Sequence, residues 1–300
     1  MMKKLSGCLL TFSLIVSALA AEKSLPAPLP RAVVIPFIDG KPDWSKLASL
    51  PGDFSVNRSP QPTLPSQLTE IRMAWDQESL WVHFFCHEKN MHSLIRYHSG
   101  EAIWQNDCVE FFIDVKLERR NWVQFICSVD GQMQVLPRGM KLGSGEPQLK
   151  VNCHEKQWEA QIQIPWSIFG SQPEIFRAAL SRERRAGETE YTTWNWPSGF
   201  NSPACHGYFF VGDQKTILLK LLHHWQEDRE FLATLASNAP VAAHSWQTWL
   251  QSGQKLLSAP MLPHSPQVVQ WLDDFYHLQQ SNRRDDTIYH GKIIELLQRP

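Results

Sequence analysis

Between residues 32 and 213 the apolar residues recur with the two-residue period of an extended chain, in short runs cut by turn chemistry. This pattern limits the fold more than any other feature. Val109, Phe111 and Ile113 point one way along such a run, and Cys108, Glu110, Phe112 and Asp114 point the other. Strands are predicted at Thr69–Trp75, Ser79–His87, Cys108–Val115, Asn121–Val129, Gln132–Leu136, Gln148–Cys153, Gln157–Ile164, Glu174–Arg182 and Gly207–Val211. Asp76-Gln77-Glu78, Asp130-Gly131 and Lys141-Leu142-Gly143-Ser144-Gly145 mark turns between them. Many short strands without strand–helix alternation predict a mainly β fold, an antiparallel β-sandwich or jelly roll.

The texture changes near Asp213. Ile217, Leu218, Leu221, Leu222 and Trp225 recur at helical spacing, Trp246, Trp249 and Leu250 begin a second run, and Ser265-Pro266 opens a third through Val268, Val269, Leu272 and Phe275. Ile293, Ile294 and Leu297 suggest a last helix. Residues 214–300 therefore read as an α-helical region in which no chemistry is visible.

The termini and composition bound the function. Lys3 and Lys4, the apolar run Leu9 to Leu19 and the small-residue site Ala18-Leu19-Ala20 spell a secretory signal over residues 1–20. Residues 21–31 follow as a Pro-rich leader, so the expectation is an exported protein, periplasmic or secreted. No later run is long and apolar enough to suggest membrane insertion. A net charge of -1 with scattered Lys and Arg gives no footprint for nucleic acid. Beyond the signal remain Cys86, Cys108, Cys127, Cys153 and Cys205, an odd number, the first three inside strands where buried free thiols are common. Their pairing is not readable from spacing.

Trp104-Gln105-Asn106-Asp107 is a polar, turn-like segment that displays one large aromatic at the mouth of the strand beginning at Cys108. A flat indole beside carboxylates such as Glu110 suits a ligand with an apolar face and a hydroxylated rim, as a sugar ring has; the alternative is an indole packed on a neighbour. Thirteen Trp in the chain is consistent with either.

Residues 34–212 resemble the family 9 carbohydrate-binding modules. The resemblance rests on Ile38-Asp39-Gly40-Lys41 with Trp44, on Met73 to Val82, on Trp104 to Asp114, on Trp158 with Ile164-Pro165-Trp166, and on Trp194 to Gly207, where His206 replaces the usual Phe. It implies a β-sandwich that clamps a pyranose between two aromatics, here Trp104 and Phe200, with Glu110 bonding sugar hydroxyls. Sugar-binding members place Arg and Asn after the stretch matching Gln124-Phe125, where this chain has Ile126 and Ser128. Trp194 and Trp196 flank the closing loop and share a face if extended, so they either supplement Phe200 or form a lid over the sandwich edge.

The function expected is non-catalytic binding of an oligo- or polysaccharide, with no cofactor. A structural calcium ion is a lesser expectation, with Asp39, Asp43, Asp76 and Asp130 in turns. Three alternatives remain. A glycosidase would pair Glu110 with Asp107 or Asp114, yet the strand spacing sets the backbones of Glu110 and Asp114 roughly 13 Å apart, side by side. A haem or redox relative would need an axial pair from Met73, Met91, Met133 and His83. A sandwich serving only structure or protein interaction needs neither.

Overall fold

A computed structural model of the chain describes residues 31–59, 62–194, 206–227, 240–258 and 266–281. The expected signal, Trp196, Phe200, Cys205 and the suggested helix near Ile293 lie outside the described residues. The strands are β1 (Ala32–Ile35), β2 (Ser55–Val56), β3 (Thr69–Trp75), β4 (Ser79–His87), β5 (Cys108–Asp114), β6 (Trp122–Ser128), β7 (Met133–Arg138), β8 (Gln148–Cys153), β9 (Gln157–Pro165), β10 (Ile175–Arg184), β11 (Glu190–Thr193) and β12 (Gly207–Val211). Among the described residues three α-helices follow: α1 (Gln214–Glu227), α2 (Pro240–Ser258) and α3 (Pro266–Ser281).

The strands form an eight-stranded sheet, with the order β1-β12-β10-β5-β6-β7 and β11 and β2 beside the far half of β10, and a four-stranded sheet, β3-β4-β9-β8. All pairings are antiparallel except that of β1 with β12. The fold is the mainly β sandwich expected. Nine strands lie where alternation put them, four with identical ends. The short β1, β2 and β11 carry too few residues to show a period, and β1 and β2 pair with strands remote in sequence.

The period-2 pattern explains the core. Val109, Phe111 and Ile113 of β5, Val123, Phe125 and Cys127 of β6, and Phe176, Ala178 and Leu180 of β10 pack against Ile71, Met73, Val82, Phe84, Trp158, Ala160 and Ile162 of the small sheet. One end of the large sheet's outer face is covered as well. Ile175, Tyr208 and Phe210 share a second core with Leu218, Leu222, Trp249, Leu257, Val268 and Trp271 of the helices. Inside that core the Trp249 and Trp271 rings stack at 4.4 Å, each donating from Nε1 to the other's carbonyl.

Buried charge links the two sheets. Arg182 lies on the inward face of β10 and donates to the carbonyls of Leu68 and His87 and to Thr69 Oγ1 of the small sheet. Its charge is met by Glu88, just after β4, at 3.2 Å, and Glu88 also takes two bonds from Arg184 at 2.6 and 3.1 Å. Glu88 and Arg182 are buried. Removing one partner of such a cluster strands charge in a low dielectric. The Glu88→Gln substitution is therefore expected to destabilise the fold by about 3–5 kcal/mol, read as a lower urea midpoint; a midpoint unchanged within error would show that the cluster contributes nothing.

Candidate functional site

The outer face of β5, β6, β7 and β10 that the helices leave uncovered holds a cleft of about 780 Å³. Strand register assembles it. Glu110 lies opposite Ser181 on β10 and Ile126 on β6, Ile126 opposite Gln134 on β7, and Gln124 opposite Leu136. Glu183 lies opposite Cys108 on one side and Tyr191 on the other. Cross-strand partners share a face, so residues from five strands line one space. Trp104, Asn57, Arg58 and Arg138 complete the lining.

Trp104 lies in the last turn of a 3-10 helix spanning Gly100–Gln105 and is 43 % exposed. The residues after it hold it there. Asn106, fully buried, accepts from the His98 amide and donates to the His98 carbonyl. Asp107 accepts from the amides of Ile95, Arg185 and Ala186. The polar pair in the motif is thus scaffold, and the indole is what it displays. Arg185 follows from the same bonds: its guanidinium lies 5.1 Å from the Tyr191 ring and 5.9 Å from the Trp104 ring, and it bonds Glu183. One cation braces both aromatics.

Glu110 forms the floor. It is 3 % exposed and accepts from Gln124 Nε2 at 3.0 Å. Burial, and then the charge of Glu183, push its carboxyl up to about 8. Burial also raises Glu183, against the pull of Arg185. The pair therefore shares a proton, held by Glu110 and bonded to Glu183, while Arg185 balances the remaining charge. The carboxyls sit together on one wall and do not face each other across a gap. Cys108 Sγ lies with them, all three ligand-capable atoms within 4.8 Å of one another.

The other expected residues fall elsewhere. Trp194 is a correction: it is 1 % exposed, packs on Phe209 at 5.4 Å and donates to the Pro51 carbonyl. Phe209 packs on its ring and the Arg31 guanidinium lies 4.9 Å from it, so it stands apart from the Trp104 cleft. Asp107 and Asp114 both spend their oxygens on backbone amides, Asp114 on those of Lys116, Glu118 and Arg119. Neither is placed to act with Glu110 across a bond. Met73 points into the core and His83, one strand over, points to the opposite face of the small sheet, so they form no axial pair. Asp43, Asp76 and Asp130 bond within their own turns. The four described cysteines are free, and Cys86, Cys108 and Cys127 are buried as expected.

Ile126 occupies the cleft floor and Ser128 is buried in its hairpin, bonded to Asp130 and Gln132. An arginine nevertheless reaches the cleft from the next strand, Arg138 of β7. Sequence reading missed Tyr191, Glu183 and Arg185. Glu183, on β10, and Arg185, just after it, carry a faint signal as alternating charges beside the strand paired with the motif, but only register brings them to it.

Glu110 also sets a pH dependence. Its ordinary value is 4.5 and its folded value about 8. Between these the folded chain holds a proton that the unfolded chain has lost, so stability falls as pH rises and the loss is complete above about 8. The melting temperature should drop between about pH 5 and about pH 9, and Glu110→Gln should drop less. Parallel curves would show that Glu110 ionises normally in the fold.

No family profile and no curated protein matches the sequence. Among solved structures the chain is similar to a family 9 carbohydrate-binding module from Caldicellulosiruptor kristjanssonii, determined in complex with cellotriose. Identity is 12 %, the TM-score 0.46, and 61 % of this chain and 94 % of that one are covered. The complex of a family 9 module from the same organism with glucose gives 13 %, 0.46, 61 % and 96 %. A candidate carbohydrate-binding protein from Bacteroides uniformis gives 15 %, 0.47, 60 % and 98 %. These likenesses are distant, and the chemistry of the cleft rests on its own residues.

Proposed function

We propose that this chain is an exported, non-catalytic carbohydrate-binding protein whose cleft holds a sugar ring against Trp104. One observation carries the reading: a half-exposed indole, braced from behind, stands in the same cleft as a buried and oriented set of hydrogen-bonding groups. A pyranose has an apolar C–H face and a rim of hydroxyls, and such a cleft satisfies both at once. The ring stacks on Trp104. Its hydroxyls meet Glu110, Gln124 and Gln134 on the floor and Arg138 at the side, where a guanidinium fork suits paired oxygens. Tyr191 is the second described aromatic in this cleft.

No chemistry is asked of the site. Protein groups already bond the carboxyls on one wall, which suits holding hydroxyls better than flanking a scissile bond. The glucose and cellotriose bound by the family 9 modules named above are the first sugars to try.

Calorimetry of the protein and of Trp104→Ala against a panel of glycans tests the reading. Saturable binding should appear and weaken by about tenfold or more in the variant, as expected for a central aromatic contact. Binding that is equal in both would remove Trp104 from the site, and none across the panel would leave the sandwich as a structural or protein-binding module. Export is tested separately: the protein produced with its leader should be recovered beyond the cytoplasmic membrane, with Ala21 at its N-terminus.

A further inference from the structure

Four outward side chains form a square across β5 and β10. Cys108 stands opposite Glu183 and Glu110 opposite Ser181, and the two pairs are two residues apart along each strand, so all four share one face. All four are buried. Glu110 and Glu183 nevertheless line the Trp104 cleft, which gives the square its opening. The Cys108 sulfur and one oxygen from each carboxyl lie within 4.8 Å of one another. Bonds from zinc to sulfur and oxygen are about 2.0–2.3 Å long, so small side-chain rotations bring the three onto one ion.

The fourth corner is an independent sign of a missing partner. Ser181 Oγ is buried and has no hydrogen-bond partner among the described residues, which is costly unless something meets it. The Cys108 thiol makes only a long contact, 3.8 Å, to the Trp104 carbonyl. Supports stand around the square as they do around metal ligands: Gln124 Nε2 donates to Glu110, and Arg185 bonds Glu183. The donor set selects the ion. One sulfur with two carboxylates suits zinc, which takes both kinds of ligand, and does not suit calcium or magnesium, which take oxygen. A thiolate and two carboxylates exceed the charge of a divalent ion by one, and the Arg185 cation matches that excess.

We infer that Cys108, Glu110 and Glu183 form a zinc site in the wall of the Trp104 cleft. The three side chains supply three ligands, and the fourth position falls to the Ser181 hydroxyl or to water from the cleft. The site is separate from the turn aspartates considered for calcium, and it stands whether or not a sugar occupies the cleft.

The test is metal binding by the intact protein, stripped with a chelator and kept reduced. Zinc is titrated by calorimetry. Cobalt(II), which takes the same ligands, reports a bound thiolate through its near-ultraviolet charge-transfer band. The variants are Cys108→Ser, Glu183→Gln and, as a control, Cys153→Ser, since Cys153 is an exposed free thiol next to His154. Zinc binding should be saturable, and the cobalt band should appear in the intact protein and in Cys153→Ser but not in Cys108→Ser. Glu183→Gln should weaken zinc at least about tenfold, the least that losing even an outer partner of a metal ligand costs. Melting curves check that each variant is folded; if Cys108→Ser is not, Glu183→Gln decides alone. No saturable zinc binding, a cobalt band that survives Cys108→Ser, or an affinity unchanged in Glu183→Gln overturns the site and leaves the sugar-binding reading as it was.

Discussion

Arg182 is the group on which the rest of the structure depends. Its backbone belongs to the large sheet and its guanidinium is buried among backbone carbonyls of the small one. A buried charge is tolerable only with a matched partner, and Glu88 supplies it together with Arg184. Apolar packing between two sheets allows sliding, because it has little direction. Charged hydrogen bonds at one end of the sandwich do not, so the clasp selects one alignment of the layers.

That alignment reaches the cleft through the chain itself. The amides of Arg185 and Ala186 follow the clasp on β10 and bond Asp107, which with Asn106 shapes the turn bearing Trp104. Inward-pointing Arg182 and Arg184 and outward-pointing Glu183 alternate on one strand. The same period therefore puts the structural ions in the interlayer and Glu183, beside Arg185, at the site. Glu110 keeps its proton because it is buried and because a second full charge beside Glu183 would have only Arg185 to balance it.

Much of this was legible in the residues. Alternation located nine of the strands because each buries one face against the other sheet, and Trp104 with Glu110 stood out as an aromatic next to a carboxyl at the mouth of one of them. Trp194 misled because a large aromatic near a loop looks alike whether it faces ligand or core; here Phe209 and the Pro51 carbonyl take it inward. Tyr191 was overlooked because its strand has four residues and its importance lies in what stands opposite.

The sequence by itself determined the class of fold and the inward and outward sets of each long strand. These follow from period and local hydrogen bonding, which act between near neighbours. Tertiary structure alone decided which outward residues meet: that Glu183 lies beside Glu110 and that Arg185 braces Trp104 and Tyr191. Such meetings depend on register between strands distant in the chain. A shift of one residue would preserve much of the local pattern and send every side chain of the strand to the other face.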